Sequence, residues 1–283
     1  MFTFPSADGI EIHVRAWLPT ATPARAVVQI AHGMGEHGGR YAALAEELAG
    51  RGHAVYVNDH RGHGLSRHSR KGCLGADGWN LLVDDTARLS RLARERHPGV
   101  PLVLLGHSLG SFAAQQHLLD HPGLADAAVL SGTAAVDHLL ADLAVAGSGS
   151  GLLEALNLPF RPARTPADWL TRDEAVVDAY LADPLCGFSL DAAGLADLAS
   201  EARRLGDPRD VRSGLPVYVC VGDQDPVNAG LALSDVVVDR YRNAGLTDVT
   251  YRIYPGARHE LLNETNRAEV LTDLLAWLDR VTG

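Results

Sequence analysis

Gly106-His107-Ser108-Leu109-Gly110 constrains this 283-residue chain more than any other stretch, because it lies where the apolar run Leu102–Leu105 stops and the helix-patterned segment Leu109–His121 begins. A serine forced into the turn between a buried strand and a helix, with glycine two residues to either side, has the sequence of a nucleophile elbow. The glycines let neighbouring backbone pass closely, and the turn puts the hydroxyl at a helix N-terminus. G-x-S-x-G also arises by chance in chains of this length, so its placement and its partners downstream carry the argument.

Other short β-branched or leucine-rich runs lie at Ala26–Ala31, Ala54–Asn58, Ala127–Leu130, Val217–Val221 and Thr250–Tyr254. They alternate with stretches of helical spacing at Tyr41–Gly50, Trp79–Arg96, Leu109–His121, Gly230–Asn243 and Ala268–Val281. Strand and helix in alternation predict an α/β fold, a mostly parallel sheet with helices on both faces. The opening segment, Phe2–Leu18, alternates around Asp8-Gly9 and reads as a hairpin at an antiparallel N-terminal edge. From about Ala134 to Asp210 the rhythm breaks: a Gly/Ser tract at Gly147–Gly151, a Pro/Arg stretch at Pro159–Pro166, and helical segments at Arg172–Ala182 and Ala192–Leu205. The expected organisation is therefore a core of residues 1–133 and 211–283 with a helical cap, 134–210, inserted over the carboxyl edge of the sheet. Leu152, Leu153, Leu156, Phe160, Trp169, Tyr180 and Leu181 give that insertion more apolar content than a disordered linker carries.

With 46% hydrophobic and 21% charged residues, the chain is rich enough to bury a sizeable core. A net charge of −10 argues against a nucleic-acid partner and against electrostatic adhesion to anionic lipid. Cys73, Cys186 and Cys220 are too few and too scattered for a disulfide framework, and none forms a C-x-x-C pair. Met1-Phe2-Thr3-Phe4-Pro5 lacks a basic region followed by an apolar stretch, and no apolar run approaches the roughly 18 residues of a membrane span. The expectation is a cytoplasmic protein.

A serine hydroxyl is a poor nucleophile until an imidazole accepts its proton, so Ser108 needs a base and the base needs an acid. On this kind of sheet the chain order is Ser, acid, His. Gly222-Asp223-Gln224-Asp225-Pro226 follows the run Val217–Val221, and Pro255-Gly256-Ala257-Arg258-His259 follows Thr250–Tyr254, both on the edge where open α/β sheets bind ligands. His259 is assigned as base and Asp225 as its acid. Asp223, two positions away and chemically equal, competes for the second role. A tetrahedral oxyanion needs two N–H donors, and the Leu109 amide at the start of its helix supplies one. The second is expected from the Met34 amide in His32-Gly33-Met34-Gly35-Glu36-His37, whose glycines permit a tight turn.

Together these residues resemble the α/β-hydrolase superfamily, and within it the branch of monoacylglycerol lipases, lysophospholipase-like esterases and serine aminopeptidases. The resemblance spans nearly the whole chain and is carried by five segments: His32–Tyr41, Asp59–Gly64, the elbow, Thr171–Leu185 and Tyr254–Glu264. It implies the α/β-hydrolase fold, triad roles for Ser108, Asp225 and His259, an oxyanion hole at Met34 and Leu109, and no metal or organic cofactor. It also implies that Glu36 and Arg40 organise a substrate-binding pocket for a glycerol-like alcohol, with a salt bridge holding the oxyanion loop as the alternative role. Mammalian monoacylglycerol lipases carry a second histidine three residues after the catalytic one, and here that position is Leu262.

The implied partner is a small, lipid-like ester of medium or long acyl chain, with membrane contact at most peripheral and through the cap. Thioesterases, aminopeptidases and biosynthetic acyl hydrolases or acyltransferases would keep the same triad. A peptidase would display cap carboxylates to grip a free amine, and the cap holds Asp168, Asp173, Glu174 and Asp178. A non-catalytic binding protein on this fold would typically lose a triad member.

Overall fold

The apolar runs pair into one sheet. In chain order its strands are β1 (Phe2–Pro5), β2 (Glu11–Trp17), β3 (Val27–Ala31), β4 (Ala54–Asn58), β5 (Leu102–His107), β6 (Ala127–Ser131), β7 (Val217–Gly222) and β8 (Val249–Tyr254), in a computed structural model that describes residues 1–20, 23–66, 70–146 and 152–283. The spatial order is β1-β2-β4-β3-β5-β6-β7-β8. β4, β3, β5, β6, β7 and β8 pair in parallel, whereas β2 meets both β1 and β4 antiparallel. The hairpin turns at Gly9, whose φ of 86° favours glycine.

Nine helices stand among the described residues: α1 (Ala42–Gly50), α2 (Gly78–Arg96), α3 (Leu109–Asp120), α4 (Val136–Ala146), α5 (Leu152–Asn157), α6 (Glu174–Ala182), α7 (Ala192–Leu205), α8 (Ala232–Asn243) and α9 (Arg267–Thr282). Every residue of β3 to β7 is buried, because helices cover both faces of the sheet. The period of two divides the strands between two cores. Val27, Leu102, Leu104, Ala128 and Val217 pack with Leu89 of α2, Leu118 of α3 and Tyr241 of α8. Their neighbours Val28, Ile30, Val103, Leu105 and Val129 pack with Leu48 of α1 and Leu274 and Trp277 of α9.

Several boundaries differ from those predicted, each for a local reason. β5 runs two residues past Leu105, since Gly106 and His107 pair with Leu130 and Ser131 in the ladder. α6 starts at Glu174 rather than Arg172 because the Asp173 carboxylate accepts the Ala175 and Val176 amides as an N-cap. α8 starts at Ala232 because Ala229, Gly230 and Leu231 all have positive φ, which no right-handed helix contains. α4 and α5 have no counterpart among the predicted segments, and the predicted Gly/Ser tract at 147–151 lies outside the described residues. No described residue between β6 and β7 is in a strand, and α4 to α7 all fall there. That placement supports the proposed division into a core and an inserted cap, 134–210.

The loop from Asp59 to Gly64 is buried and held by internal bonds. Asp59 accepts the Gly38 and Leu65 amides and an Arg15 N–H. The His60 amide donates to His32 Nε2 at 2.9 Å, and His63 Nδ1 lies 3.0 Å from the Arg61 carbonyl. Burial holds His32, His60 and His63 below the ordinary histidine value, and pushes His107 to about 4 and His117 to about 3.

These five rings are neutral in the folded protein and free to protonate near pH 6.5 when unfolded. Below about 6.5 the unfolded chain therefore takes up protons that the native state refuses, and stability falls with pH at about 1 kcal/mol per histidine per unit. His53 and His97, also lowered by burial, act in the same sense, and His259, raised above its ordinary value, works in the opposite one, one group against seven. The melting temperature is expected to hold steady near pH 7 to 8 and to drop steeply below about pH 6. A series of thermal melts flat down to pH 4.5 would refute this.

Candidate active site

Ser108 is the entire connection between β5 and α3, with φ 53° and ψ −121°, a left-handed conformation rare outside glycine. Its strain is held by bonds on both sides: its N–H donates to the Ser131 carbonyl at 2.9 Å, and its carbonyl accepts from the Ser111 amide at 2.8 Å and the Ser111 hydroxyl at 2.6 Å. The flanking glycines have no room for a side chain. A Cβ at Gly106 would overlap the Gly110 carbonyl and come within 2.7 Å of Ser111 Cα, and one at Gly110 would overlap the Ala31 carbonyl and lie 2.6 Å from that of His32. Ser108 is half-buried between buried neighbours.

His259 enters from the loop after β8. Its Nδ1 lies 2.8 Å from Asp225 Oδ2, and the other Asp225 oxygen accepts the Val227 amide at 2.9 Å. Both side chains are buried, at 2% and 0% exposure, so the pair acts in a medium of low polarity. Asp223 bonds elsewhere: its Oδ1 accepts the Gly256 amide at 2.7 Å and so pins the loop that carries His259. The imidazole packs against the His107 ring at 4.8 Å and the Trp169 ring at 5.0 Å. Burial opposes protonation of His259, but the charge and hydrogen bond of Asp225, with the charges of Glu260 and Glu36, outweigh it and raise its pKa.

Its Nε2 is buried without a hydrogen-bond partner among the described residues, and Ser108 Oγ is not bonded to it. Catalytic bonds are commonly loose before substrate binds. The Met34 and Leu109 amides likewise donate to no acceptor among the described residues. Gly33 brings this loop onto the elbow, since a Cβ there would stand 3.2 Å from Ser108 Cβ.

Ser108, His259, Met34, Leu109 and Glu36 all line one pocket. Asp225 stands behind His259, and Arg40 behind Glu36, outside that lining. Glu36 accepts the Gly33 amide at 2.5 Å and the Tyr41 hydroxyl at 2.8 Å, while Arg40 bonds Glu36 and Glu260 together. His107 and Glu260 also line the pocket. Most of the remaining lining is apolar, including Phe112, Val136, Leu139, Leu140, Leu153, Leu156, Leu195 and Leu198 from α3, α4, α5 and α7. Leu262 does not line the cavity; it faces a separate groove beside Arg40 and Asn263.

The four carboxylates named in the proposed cap are engaged by neighbouring groups and do not line the pocket. Asp173 caps α6, Asp168 accepts the Arg164 amide and the Thr165 hydroxyl, and Asp178 pairs with Arg164 at 2.7 Å, with Glu174 beside it. One group among the described residues has ligand-type atoms close enough to share a metal ion: His37, Asp183 and Cys186. His37 Nδ1 already accepts the Gly39 amide, so Nε2 carries the ring proton and donates it to Asp183 at 2.9 Å. Burial pushes the Cys186 thiol up to about 12. The His37–Asp183 bond thus joins the loop after β3 to the segment after α6, and the Cys186 amide donates to the Asp183 carbonyl at 3.0 Å.

Sequence reasoning passed over three side chains at the site. Glu260 stands beside His259 inside a segment already singled out, and His107 stands inside the elbow, so both were adjacent to a signal. Trp169 had no local pattern to mark it.

Comparison with known proteins agrees with this architecture. The family described as serine aminopeptidase, S33, matches residues 22–266. A monoacylglycerol lipase of Mycolicibacterium smegmatis is 33% identical over 98% of this chain and 95% of its own, and human monoglyceride lipase is 28% identical over 98% and 89%. Among solved structures, a thermostable carboxyl esterase from Bacillus coagulans in complex with glycerol superposes with a TM-score of 0.84 at 25% identity, covering 100% of this chain and 98% of that one. No helix among the described residues is long and apolar enough to cross a membrane. With its elbow, its eight-stranded sheet and a family match over most of its length, the chain belongs to the serine aminopeptidase S33 family of α/β-hydrolases.

Proposed function

We propose that this carboxylic ester hydrolase cleaves esters of medium or long acyl chains, such as monoacylglycerols or lysophospholipids, through an acyl-enzyme on Ser108. The observation that carries the reading is the make-up of one pocket: Ser108 and His259 share its lining with Glu36, His107 and Glu260, and most of the remaining side chains are aliphatic or aromatic. Ser108 attacks the ester carbonyl while His259 Nε2 takes the hydroxyl proton, and Asp225 holds the imidazole in the tautomer that leaves Nε2 free to accept. The Met34 and Leu109 amides stabilise the tetrahedral oxyanion. His259 then gives its proton to the departing alcohol, and water repeats the sequence on the acyl-enzyme. In this reading Glu36 borders the alcohol side, and Arg40 acts through its two carboxylate partners rather than by touching substrate.

A panel of aryl esters from two to sixteen carbons, run beside monoacylglycerols, lysophospholipids, acyl thioesters and aminoacyl anilides, tests this directly. Each methylene taken up against the apolar lining is worth about 0.8 kcal/mol, so kcat/KM is expected to climb by about fourfold per carbon until the cavity is full. A preference for acetate esters would remove the acyl-chain assignment. Turnover of the anilides alone would replace it with a peptidase, although the cap acids that would hold a free amine are engaged elsewhere.

A further inference from the structure

Two loops must agree for the proposed reaction to work. One, after β3, carries the Met34 amide; the other, after β8, carries His259. In the sheet β3 and β8 are separated by β5, β6 and β7, a span of roughly 19 Å at the usual strand spacing, so no ladder joins them.

We propose that Glu260 is a positioning residue for this reaction, locking the His259 loop to the oxyanion loop through Arg40 and Glu36. The inference rests on the acyl-transfer reading, which gives both loops their roles. The connection is continuous and built from charge-assisted bonds. Arg40 donates through Nη1 and Nη2 to the two Glu260 oxygens at 2.6 and 2.7 Å, and Nη1 also reaches Glu36 Oε2 at 2.6 Å. Glu36 Oε1 accepts the Gly33 amide, the peptide before Met34. Asn263 steadies Glu260 Oε2 at 3.0 Å, and the Glu260 amide donates to the Leu170 carbonyl at 2.7 Å. The Tyr180 ring covers the guanidinium at 5.0 Å.

The three charged side chains are 4%, 11% and 5% exposed, so neither water nor salt competes effectively for these bonds. A planar guanidinium gripped by two carboxylates fixes their mutual orientation, which a lysine ammonium cannot do. Glu260 and Arg40 touch neither the reacting atoms nor the triad's own hydrogen bond; they determine where the oxyanion amide stands relative to His259.

Glu260→Gln and Arg40→Lys test the lock, each checked for native fold by near-ultraviolet circular dichroism. Glu260→Gln is expected to lower kcat by roughly 10- to 100-fold, the consequence of an ångström-scale misplacement, with KM within about threefold of wild type. Affinity for an alkyl trifluoromethyl ketone, whose adduct on Ser108 needs both loops in register, is expected to fall by the same factor, while affinity for the free fatty acid stays unchanged. Arg40→Lys is expected to show the same pattern and decides the matter if the glutamine variant does not fold. Glu36→Gln combined with Glu260→Gln is expected to lose no more than the worse single variant, because both break one chain of bonds.

A folded variant of either kind with wild-type kcat and ketone affinity, or a loss confined to KM, would overturn the proposal. Wild-type protein that forms no ketone adduct would instead remove the acyl-transfer reading, and the lock with it.

Discussion

Ser108→Ala is expected to lower kcat by roughly 10⁶-fold on any ester the wild type hydrolyses, with the fold intact. The size of the effect follows from what the hydroxyl does. Without it no acyl-enzyme forms, and what remains is the stabilisation of the oxyanion by two amides, worth roughly 10³- to 10⁴-fold over water. Alanine suits the backbone poorly at φ 53°, but serine bears the same strain, and the Ser131 carbonyl and Ser111 amide bonds involve the main chain alone. Steady-state hydrolysis of an aryl ester by the purified variant checks the expectation. Activity within about tenfold of wild type would place the nucleophile elsewhere.

The second large effect separates the two aspartates. Asp225→Asn is expected to lower kcat by roughly 10⁴-fold, because an amide can donate to His259 Nδ1 and thereby put the ring proton on Nε2, where it blocks transfer from Ser108. Asp223→Asn keeps an oxygen able to accept the Gly256 amide and is expected to cost less than about tenfold. The same electrostatics set the pH profile. Catalysis requires neutral His259, and the negative charges of Asp225, Glu260 and Glu36 hold its proton on, so the acid limb of kcat/KM is expected above pH 6.5 in the wild type and lower in Asp225→Asn. Comparable losses in the two variants, or a wild-type limb well below 6.5, would reverse the assignment.

Much of the framework was legible in the residues because the relevant signals are local. A parallel strand is a short β-branched or leucine-rich run, and all six such runs form strands of the sheet; five are buried throughout, whereas β8, at the sheet's edge, buries only Tyr254 fully. The elbow needs glycine at 106 and 110 because backbone from the next strand and the helix passes where a Cβ would be, and that demand is written in five consecutive residues. Loop chemistry after a late strand was similarly legible for His259.

What depends on distant contacts was not. Asp223 and Asp225 have the same chemistry, and only the turn stabilised by the Val227 amide brings the second to the imidazole. The bond from Arg40 to Glu260 joins residues 220 positions apart, so nothing local to either marks it. α4 is apolar around most of its circumference, Val136-Asp137-His138-Leu139-Leu140, which leaves little periodic contrast to identify it. Its leucines are nonetheless part of the cavity wall.

Labelling with a fluorophosphonate, followed by peptide mapping, tests the central claim most directly, because the reagent needs an activated hydroxyl, a working histidine and an oxyanion site together. One adduct on Ser108 in the wild type, none in Ser108→Ala and a far slower reaction in Asp225→Asn are the expected results. An adduct on another residue, or equal labelling of wild type and Ser108→Ala, would contradict the account.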